Sequence, residues 1–356
     1  MSPMFVPGPV DVAPEVLKQQ EKPMIPHRNK DFEAVFQRSA QKAAQLFFTS
    51  SRVFIMTNSG SGAQEACVRN LAKERVLATV CGSFSKRWYD VALATGKAAD
   101  KLEVPMGKAI LPEMVAEALQ KEKYDLITVV HNETSTGVMN PVKEIAEVVK
   151  RISPDTLIAV DAVSSLAGAR VEMDAWGLDA LFTSSQKAMA LPPGLALCAV
   201  NDRAMERAKE VPNRGWYFDF LLLEKHRLKD STPMTPAMSL INALDFQLDR
   251  ILAEGLENRF ARHSAMAKRS QEWAVAKGWS LLAPEGYRSQ TLTVVNNPPE
   301  FDCAEFNKFV APLGIRLANG YGDLKGKTFR IAHMGEIQPA DLEQLLQKID
   351  EYMLTK

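Results

Sequence analysis

Leu178-Asp179-Ala180-Leu181-Phe182 is an apolar run, and the segment Thr183-Ser184-Ser185-Gln186-Lys187 that follows it ends in the lysine from which the fold is predicted. A lysine at the end of a buried strand, beside small hydroxyl residues, is poorly explained as a solvated surface charge. A second apolar run, Thr156-Leu157-Ile158-Ala159-Val160, precedes it and ends in Asp161. The sequence therefore places an acid and an amine at the ends of two successive strands.

Asp161 and Lys187 together match the needs of pyridoxal phosphate. A lysine amine binds this cofactor covalently, and an aspartate keeps its pyridine nitrogen protonated. From these two residues alone, a structural interpretation of each is as good as the cofactor interpretation. The lysine could pair with some other carboxylate, and the aspartate could cap a helix.

Short apolar strands alternate with amphipathic helices from about residue 50 to 200, which predicts a mostly parallel sheet covered on both faces. The predicted strands are 53–57, 76–81, 126–131, 157–161, 180–183 and 195–200. The predicted helices are 63–73, 84–94, 112–121 and 142–151. Only residues 186–194 separate the last two strands, too few for a parallel crossover, so the last strand is expected to be antiparallel.

The last third of the chain predicts a smaller α+β domain. Its pattern is helical from 236 to about 277, and the later segments 291–296, 314–318 and 328–333 are typical of strands. Helices are expected at 303–311 and 339–352. The domain boundary is placed in the long helices near residue 250, because no Gly/Ser-rich linker is present.

Composition restricts the class of protein. Of 356 residues, 46% are hydrophobic and 24% charged, and 43 basic residues balance 43 acidic ones. Zero net charge gives no electrostatic reason to expect a nucleic-acid or membrane-surface partner. The four cysteines form no CxxC pair and the five histidines share no ligand spacing, so no metal site is expected. We expect buried free thiols, no signal peptide, no membrane span and a cytoplasmic location.

The turn after the first strand, Thr57-Asn58-Ser59-Gly60-Ser61-Gly62-Ala63, leads into a helix and could hold a phosphate. It fails as a dinucleotide fingerprint because Glu65 stands where a third glycine is needed. A tight strand–helix turn without a ligand is an equally good interpretation.

Three further positions have both a structural and a functional interpretation. Phe84, which opens a helix, is a core aromatic or a ring that stacks on a heteroaromatic cofactor. The polar cluster at 131–137 is a capped loop or part of a ligand site at the carboxyl ends of the strands. Arg330, inside a short strand, forms a structural ion pair or clamps a substrate carboxylate.

Taken in order, these segments resemble the class V family of pyridoxal-phosphate aminotransferases, in particular its alanine/serine–glyoxylate branch. The resemblance extends from Pro7-Gly8-Pro9 to His333-Met334-Gly335. Its most specific segments are Ser184-Ser185-Gln186-Lys187-Ala188 with Pro192-Pro193-Gly194, Glu133-Thr134-Ser135-Thr136-Gly137, and Val160-Asp161-Ala162-Val163-Ser164-Ser165. It implies an aspartate-aminotransferase-like (fold type I) α/β fold with a mostly parallel seven-stranded sheet and a smaller C-terminal domain. The predicted division is an arm at 1–20 that borders the substrate pocket, a large domain at 21–250 and a small domain at 251–356.

The resemblance also implies roles around the cofactor ring. Lys187 holds pyridoxal phosphate covalently and moves protons, Asp161 pairs with the ring nitrogen, and Phe84 stacks on the ring, where many relatives have tryptophan. Thr134 bonds the phenolic oxygen. The implied phosphate ligands are Ser59, Gly60, Ser61 and Gln186.

Substrate and partner contacts are implied in the same way. Arg330 binds the substrate α-carboxylate, and the backbone near Gly8 lines the substrate pocket. The family forms homodimers with shared active sites, in which the segment corresponding to 232–236 reaches the phosphate of the partner subunit. Thr235 is favoured over Thr232 for this contact. Relatives often have a tyrosine just before this segment, where this chain has Lys229-Asp230-Ser231.

The reaction implied is a ping-pong transamination between serine or alanine and glyoxylate or pyruvate. Phosphoserine or aspartate with 2-oxoglutarate is the alternative, for which His27, Arg28 or Arg316 could supply a second cation. A desulfurase or another lyase would share the fold. Such an enzyme needs a catalytic cysteine on a mobile loop, and Cys303 lies at a predicted helix start.

Overall fold

The structure is a computed structural model that describes residues 3–356. Met1 and Ser2, the first residues of the predicted arm, lie outside the described residues. The strands β1 to β13 are Met4–Phe5, Arg52–Met56, Arg75–Val80, Ala98–Glu103, Leu126–Val130, Asn132–Glu133, Val138–Met139, Leu157–Asp161, Ala180–Ser184, Ala196–Val200, Leu292–Asn296, Arg316–Asn319 and Thr328–Ala332. The helices α1 to α13 are Pro14–Lys18, Lys30–Leu46, Gly60–Leu71, Ser83–Ala94, Pro112–Lys121, Val142–Ile152, Met173–Trp176, Asp202–Glu210, Phe220–Arg227, Met238–Glu254, Leu256–Ala276, Cys303–Val310 and Pro339–Met353.

The large sheet has seven strands in the order β2-β10-β9-β8-β5-β3-β4. Strand β10 is antiparallel to both of its neighbours, and the other pairs are parallel. The predicted mostly parallel sheet and its antiparallel last strand are confirmed. The connection between β9 and β10 is too short to return the chain to the opposite edge, which forces the antiparallel pairing.

Both faces of the large sheet are covered, as predicted. Along β8, Ile158 and Val160 pack into one apolar cluster, whereas Leu157 and Ala159 pack into another on the opposite face. This alternation follows from the two-residue period of a strand. The sheet is thus a rigid central layer, and its carboxyl edge can hold side chains in fixed positions.

Strand β4 was not among the strands predicted from the apolar pattern. It pairs only with β3 at the edge of the sheet, and its residues are exposed or half-buried. An edge strand of this kind needs no continuous apolar run, so hydrophobic patterning does not reveal it.

The second sheet has the order β1-β12-β13-β11 and contains the predicted C-terminal strands. Strand β1 comes from the other end of the chain and pairs in parallel with β12. Phe5 is fully buried in the apolar cluster of this sheet. The N-terminal arm is thereby anchored to the C-terminal part of the fold.

The long helical region predicted at 236–277 consists of α10 and α11, which are separated by Gly255. Gly255 has a φ of 82°, a left-handed conformation that glycine adopts without strain. The domain boundary near residue 250 stays a prediction. Among the helices in the described part of the chain, none is long and apolar enough to cross a bilayer.

Candidate active site

Most of the residues named from the sequence gather at the carboxyl edge of the large sheet, whereas Arg330 lies on β13 of the second sheet and Gly8 on the N-terminal arm. Strands β3, β5, β8 and β9 run in the same direction, so the segments that follow them meet there. Strand β2, which is antiparallel to β10, also ends at this edge. The edge is the usual ligand position in open α/β sheets.

A cavity of about 260 Å³ opens at this edge. The predicted site residues that line it are Ser59, Gly60, Ser61, Phe84, Thr134, Asp161, Gln186 and Lys187. Further lining residues, not singled out from the sequence, are Gln64, Arg87, Val130, Asn132, Val163, Ser164 and Ser184. Several of these lie inside the quoted motifs, whereas Gln64 and Arg87 lie within helices.

Lys187 follows β9 and contacts the N-terminal arm. Its ammonium group donates a hydrogen bond to the Pro7 carbonyl oxygen. A Cβ atom on Gly8 would lie 2.6 Å from Lys187 Cδ and 2.8 Å from Nζ, and Gly8 has a φ of 115°. The Val10 amide bonds the Gln186 carbonyl at 3.2 Å and holds the arm in place. Gly8 therefore lies directly against the lysine, and a side chain there would displace the amine.

The surroundings of Lys187 favour its neutral amine. The side chain borders the cavity and is otherwise enclosed by protein, and this desolvation lowers the pKa of Lys187 to about 8. The positive charge of Arg330 acts in the same direction, and the charge of Asp161 opposes it. A neutral amine is the form that attacks a carbonyl or accepts a proton.

Asp161 ends β8 with both carboxylate oxygens held. Oδ1 accepts a hydrogen bond from the Val163 amide at 2.9 Å, and Oδ2 accepts one from Gln64 Nε2 at 3.0 Å. Burial raises the pKa of Asp161 to about 6, and these two bonds moderate the rise. An oriented, buried carboxylate of this kind is suited to pair with a cationic ring nitrogen.

Phe84 is positioned by Glu133, a fully buried carboxylate. Glu133 accepts hydrogen bonds from the amides of Phe84 at 3.2 Å and Ser85 at 2.8 Å, at the start of α4. It also accepts bonds from the hydroxyls of Ser85 at 2.8 Å and Ser135 at 2.6 Å. A carboxylate at a helix N-terminus is electrostatically favourable. Glu133 thus fixes the helix start that carries the ring.

The predicted phosphate turn forms the start of α3. Ser59 is the N-cap, and within residues 3–356 its side chain makes no capping hydrogen bond. A Cβ atom on Gly60 would lie 2.8 Å from Val163 Cγ2, so only glycine allows the backbone this close. The first N–H groups of a helix lack intrahelical acceptors and attract anions.

Arg330 is 8% exposed on β13 and lies close enough to Lys187 to affect its pKa. Its Nε donates to the Asn319 carbonyl at 2.9 Å, and its guanidinium lies 5.7 Å from the centre of the Tyr321 ring. Among the described residues it forms no ion pair with a carboxylate. Burial lowers the pKa of Arg330 to about 10. A buried arginine without an acidic partner is suited to bind an anion from solution.

Thr134 lies among buried polar side chains of residues that line the cavity. The Thr134 and Ser164 hydroxyls lie 2.6 Å apart. Three other buried atoms of lining residues, Ser184 Oγ, Gln64 Oε1 and Asn132 Oδ1, have no hydrogen-bond partner among the described residues. Buried polar atoms normally have partners, so these atoms indicate a polar ligand.

The segment at 232–236 does not line this cavity. Thr232 is buried and its hydroxyl donates to the Met234 carbonyl at 2.7 Å, whereas Thr235 is exposed. His27 lies beside this segment, since its carbonyl accepts a hydrogen bond from Ser231 at 3.4 Å. Arg316 is exposed on β12. None of the three cations proposed for substrate binding borders the cavity of the same chain.

All four cysteines are buried free thiols, as predicted. Cys303 is the first residue of α12, and burial raises its pKa to about 11. A buried thiol with a raised pKa is a poor nucleophile. This position disfavours desulfurase chemistry.

Comparison with known proteins agrees with the resemblance inferred from the sequence. Residues 16–320 match the Aminotransferase class-V family. An uncharacterized aminotransferase of Methanocaldococcus jannaschii is 40% identical over 93% of this chain and 87% of that protein. The L-aspartate–glyoxylate aminotransferase of Paracoccus denitrificans is 32% identical over 95% of this chain and 88% of that protein. A crystal structure of alanine–glyoxylate aminotransferase from a Nostoc species superposes with a TM-score of 0.92 at 28% identity, covering 99% of this chain and 96% of that one.

These matches confirm the predicted aspartate-aminotransferase-like (fold type I) architecture and the resemblance from which it was inferred. The family match covers more than half of the chain, and the first two relatives match over nearly all of it. The chain therefore belongs to the class V aminotransferase family and is an enzyme of the transaminase class.

Proposed function

We propose that this enzyme uses pyridoxal phosphate to transfer an amino group from serine or alanine to glyoxylate or pyruvate. The observation that carries the proposal is that Lys187 and Asp161 border one cavity. An amine and a buried carboxylate around the same space are the two groups that this cofactor requires.

The cavity fits the cofactor in three respects. The start of α3 offers backbone N–H groups and the uncommitted Ser59 side chain to a phosphate. Phe84 and Val163 both line the cavity and provide apolar surfaces for a ring. The Asn132 and Ser184 side-chain oxygens, which have no hydrogen-bond partner within residues 3–356, belong to lining residues and would add hydrogen-bonding capacity for its polar substituents.

Each residue then has a defined task. Bound pyridoxal phosphate supplies an electron sink when a proton leaves the substrate Cα. Asp161 would keep the ring nitrogen protonated, and Lys187 Nζ, whose neutral form is favoured by burial, would take the Cα proton. Arg330 binds the substrate carboxylate and thereby fixes the orientation of the Cα–H bond. A ping-pong transamination would use the same residues twice, first for the amino acid and then for the accepting 2-oxo acid.

Glyoxylate as the acceptor is supported by two relatives, since it stands in the names of the Paracoccus and Nostoc enzymes. The name of the Nostoc enzyme supports alanine as the donor. Aspartate is the second candidate donor, because the Paracoccus enzyme is named for it. A dicarboxylic donor would need a second cation near the site.

A donor-by-acceptor panel tests the proposal. Serine, alanine, aspartate and phosphoserine are each paired with glyoxylate, pyruvate and 2-oxoglutarate, and kcat/KM is measured for each pair. We expect serine or alanine with glyoxylate to give the highest value. A clear preference for phosphoserine or 2-oxoglutarate would contradict the substrate assignment. Lys187→Ala should be inactive in every pair, and Lys86→Ala, which replaces an exposed lysine of α4, is the matched control.

The enzyme is further proposed to be a cytoplasmic homodimer in which Thr235 reaches the phosphate of the partner subunit. The exposure of Thr235 on the isolated chain supports this role. Sedimentation of the active enzyme tests the assembly, and an active monomer would contradict it. The division into an arm at 1–20, a large domain at 21–250 and a small domain at 251–356 is part of the same proposal.

A further inference from the structure

Arg87 is a cation of the cavity that the proposed roles do not use. It lies one turn after Phe84 on α4 and lines the cavity. Its Nη1 donates a hydrogen bond to Ser61 Oγ at 2.9 Å, and its guanidinium lies 5.1 Å from the centre of the Phe84 ring. Within the described range 3–356, no carboxylate forms an ion pair with it. The side chain is therefore held in place by neutral groups, and Asp161, whose pKa it lowers, acts on its charge only from a distance.

The charge of a phosphate monoester is the reason to expect a role for Arg87. Such a group carries about −1.5 to −2 at pH 7. The phosphate ligands proposed from this chain, Ser59, Gly60, Ser61 and Gln186, are all neutral. The start of α3 contributes roughly half a positive charge. A full positive charge is therefore still needed at this end of the cavity.

Only Lys187 and Arg87 are basic among the residues that line the cavity. Lys187 is committed to the carbonyl end of the cofactor. Arg87 instead bonds Ser61, which belongs to the first turn of α3, where the phosphate is proposed to lie. A guanidinium has five N–H donors, and the bond to Ser61 uses one of them.

We propose that Arg87 binds the phosphate group of the cofactor and that Ser61 positions its guanidinium for this contact. The inference rests on the proposed use of pyridoxal phosphate and adds a charged ligand to that site. A structural interpretation competes with it, in which Arg87 only supports the Phe84 ring by a cation–π contact. The two interpretations differ in whether the effect of Arg87 depends on the phosphate.

The two interpretations are separated by comparing how tightly the protein binds pyridoxal phosphate and pyridoxal, which lacks the phosphate. Both are titrated into cofactor-free protein, and dissociation constants are read from the absorbance of the bound form. Arg87→Gln should weaken the binding of pyridoxal phosphate by about 10- to 100-fold, because a charge-assisted hydrogen bond is lost, and should leave the affinity for pyridoxal unchanged. Arg87→Lys should recover part of the affinity, because it restores the charge without the planar fork. Phe84→Leu, the matched control, should lower the affinity for both ligands by similar factors.

Inorganic phosphate gives a second readout that needs no activity. It should compete with pyridoxal phosphate for the wild type and much less for Arg87→Gln. Equal losses for the two ligands in Arg87→Gln would overturn the inference in favour of ring support. An unchanged affinity for pyridoxal phosphate with a raised KM for aspartate alone would also overturn it. If wild-type protein takes up neither ligand, the proposed cofactor itself is wrong, which is a distinct result.

Discussion

Gln64 Nε2 lies 3.0 Å from the Oδ2 atom of Asp161, and both side chains are buried at the floor of the cavity. Gln64 belongs to the first turns of α3, whereas Asp161 ends β8. The bond favours the charged form of the carboxylate and opposes the rise in pKa that burial causes. In the proposed function, Gln64 is thus a positioning residue for the acid that pairs with the cofactor ring.

Gln64→Leu should raise the pKa of Asp161 further, because the bond that stabilises the carboxylate is lost. The acidic limb of the kcat/KM profile should therefore move to higher pH, and activity at pH 7 should fall by about tenfold. A pH series of initial rates measures both effects. Gln347→Leu, on the exposed face of α13, is the control and should leave the profile in place.

Asp161→Asn should stabilise the cofactor-free protein at neutral pH. The folded-state pKa of about 6 exceeds the ordinary value of 3.8, so the folded carboxyl keeps its proton to higher pH than the unfolded one. The contribution of Asp161 is therefore full below pH 3.8 and is lost as pH rises to about 6. The variant should gain about 1 to 3 kcal/mol at pH 7 and nothing near pH 3.8, measured by urea unfolding.

Asp302 provides a control of opposite sign for that experiment. Its carboxylate caps α12, and hydrogen bonds from the Glu305 and Ala304 amides lower its pKa. Asp302→Ala should therefore destabilise the protein at pH 7, and the difference should shrink as pH falls. If both variants change stability in the same direction with pH, the assignment to Asp161 is wrong.

Gly8→Ala should reduce kcat/KM by about 100-fold, since the added Cβ would displace the Lys187 amine. Gly326→Ala is a matched control, because Gly326 also has a positive φ of 75° but no neighbour within 4 Å of the built Cβ. The control should lose about 1 kcal/mol of stability and keep its activity. Steady-state kinetics and thermal unfolding of both variants separate displacement of the amine from backbone strain.

Arg330→Gln should raise KM for the amino acid and for the 2-oxo acid by about 10- to 100-fold, because both carry the carboxylate. Arg316→Gln changes an exposed arginine of the neighbouring strand β12 and should have no effect. Tyr321→Leu removes the ring that lies against both Phe84 and the Arg330 guanidinium, and should raise the same two KM values by about 3- to 10-fold. An increase confined to one substrate would contradict the shared role of Arg330.

The rate at which cofactor-free protein takes up pyridoxal phosphate should rise with pH and level off near the pKa of Lys187, about 8. Only the neutral amine reacts, and a solvated lysine would level off near 10.5. Arg330→Gln removes a nearby positive charge, so its plateau should begin at higher pH. Stopped-flow absorbance measures these rates, and a plateau that the substitution does not move would argue against the electrostatic effect.

The sequence predicts those parts of the fold and site that depend on continuous local patterns. Buried strands such as β8 and β9 are recognisable because they are apolar throughout, and polar residues at their ends mark the site. Strand β4 was not predicted, because it is stabilised by pairing with β3 and not by burial of apolar side chains. Gln64 and Arg87 were not predicted for another reason. In the sequence, a polar residue inside a helix gives the same pattern whether its side chain faces solvent or a cavity. Only the packing of α3 and α4 against the sheet distinguishes the two cases.

The pairing of Met4 with Arg316 has a consequence for the order in which the protein is assembled. During synthesis, the ribosome has produced every cavity-lining residue once Lys187 emerges. Strand β1, however, has no partner until β12 has been made. Until then, the arm that carries Gly8 can be held beside Lys187 only by local contacts such as the bond from the Val10 amide to the Gln186 carbonyl. The pairing that anchors the far end of the arm is therefore among the last contacts of the fold to form.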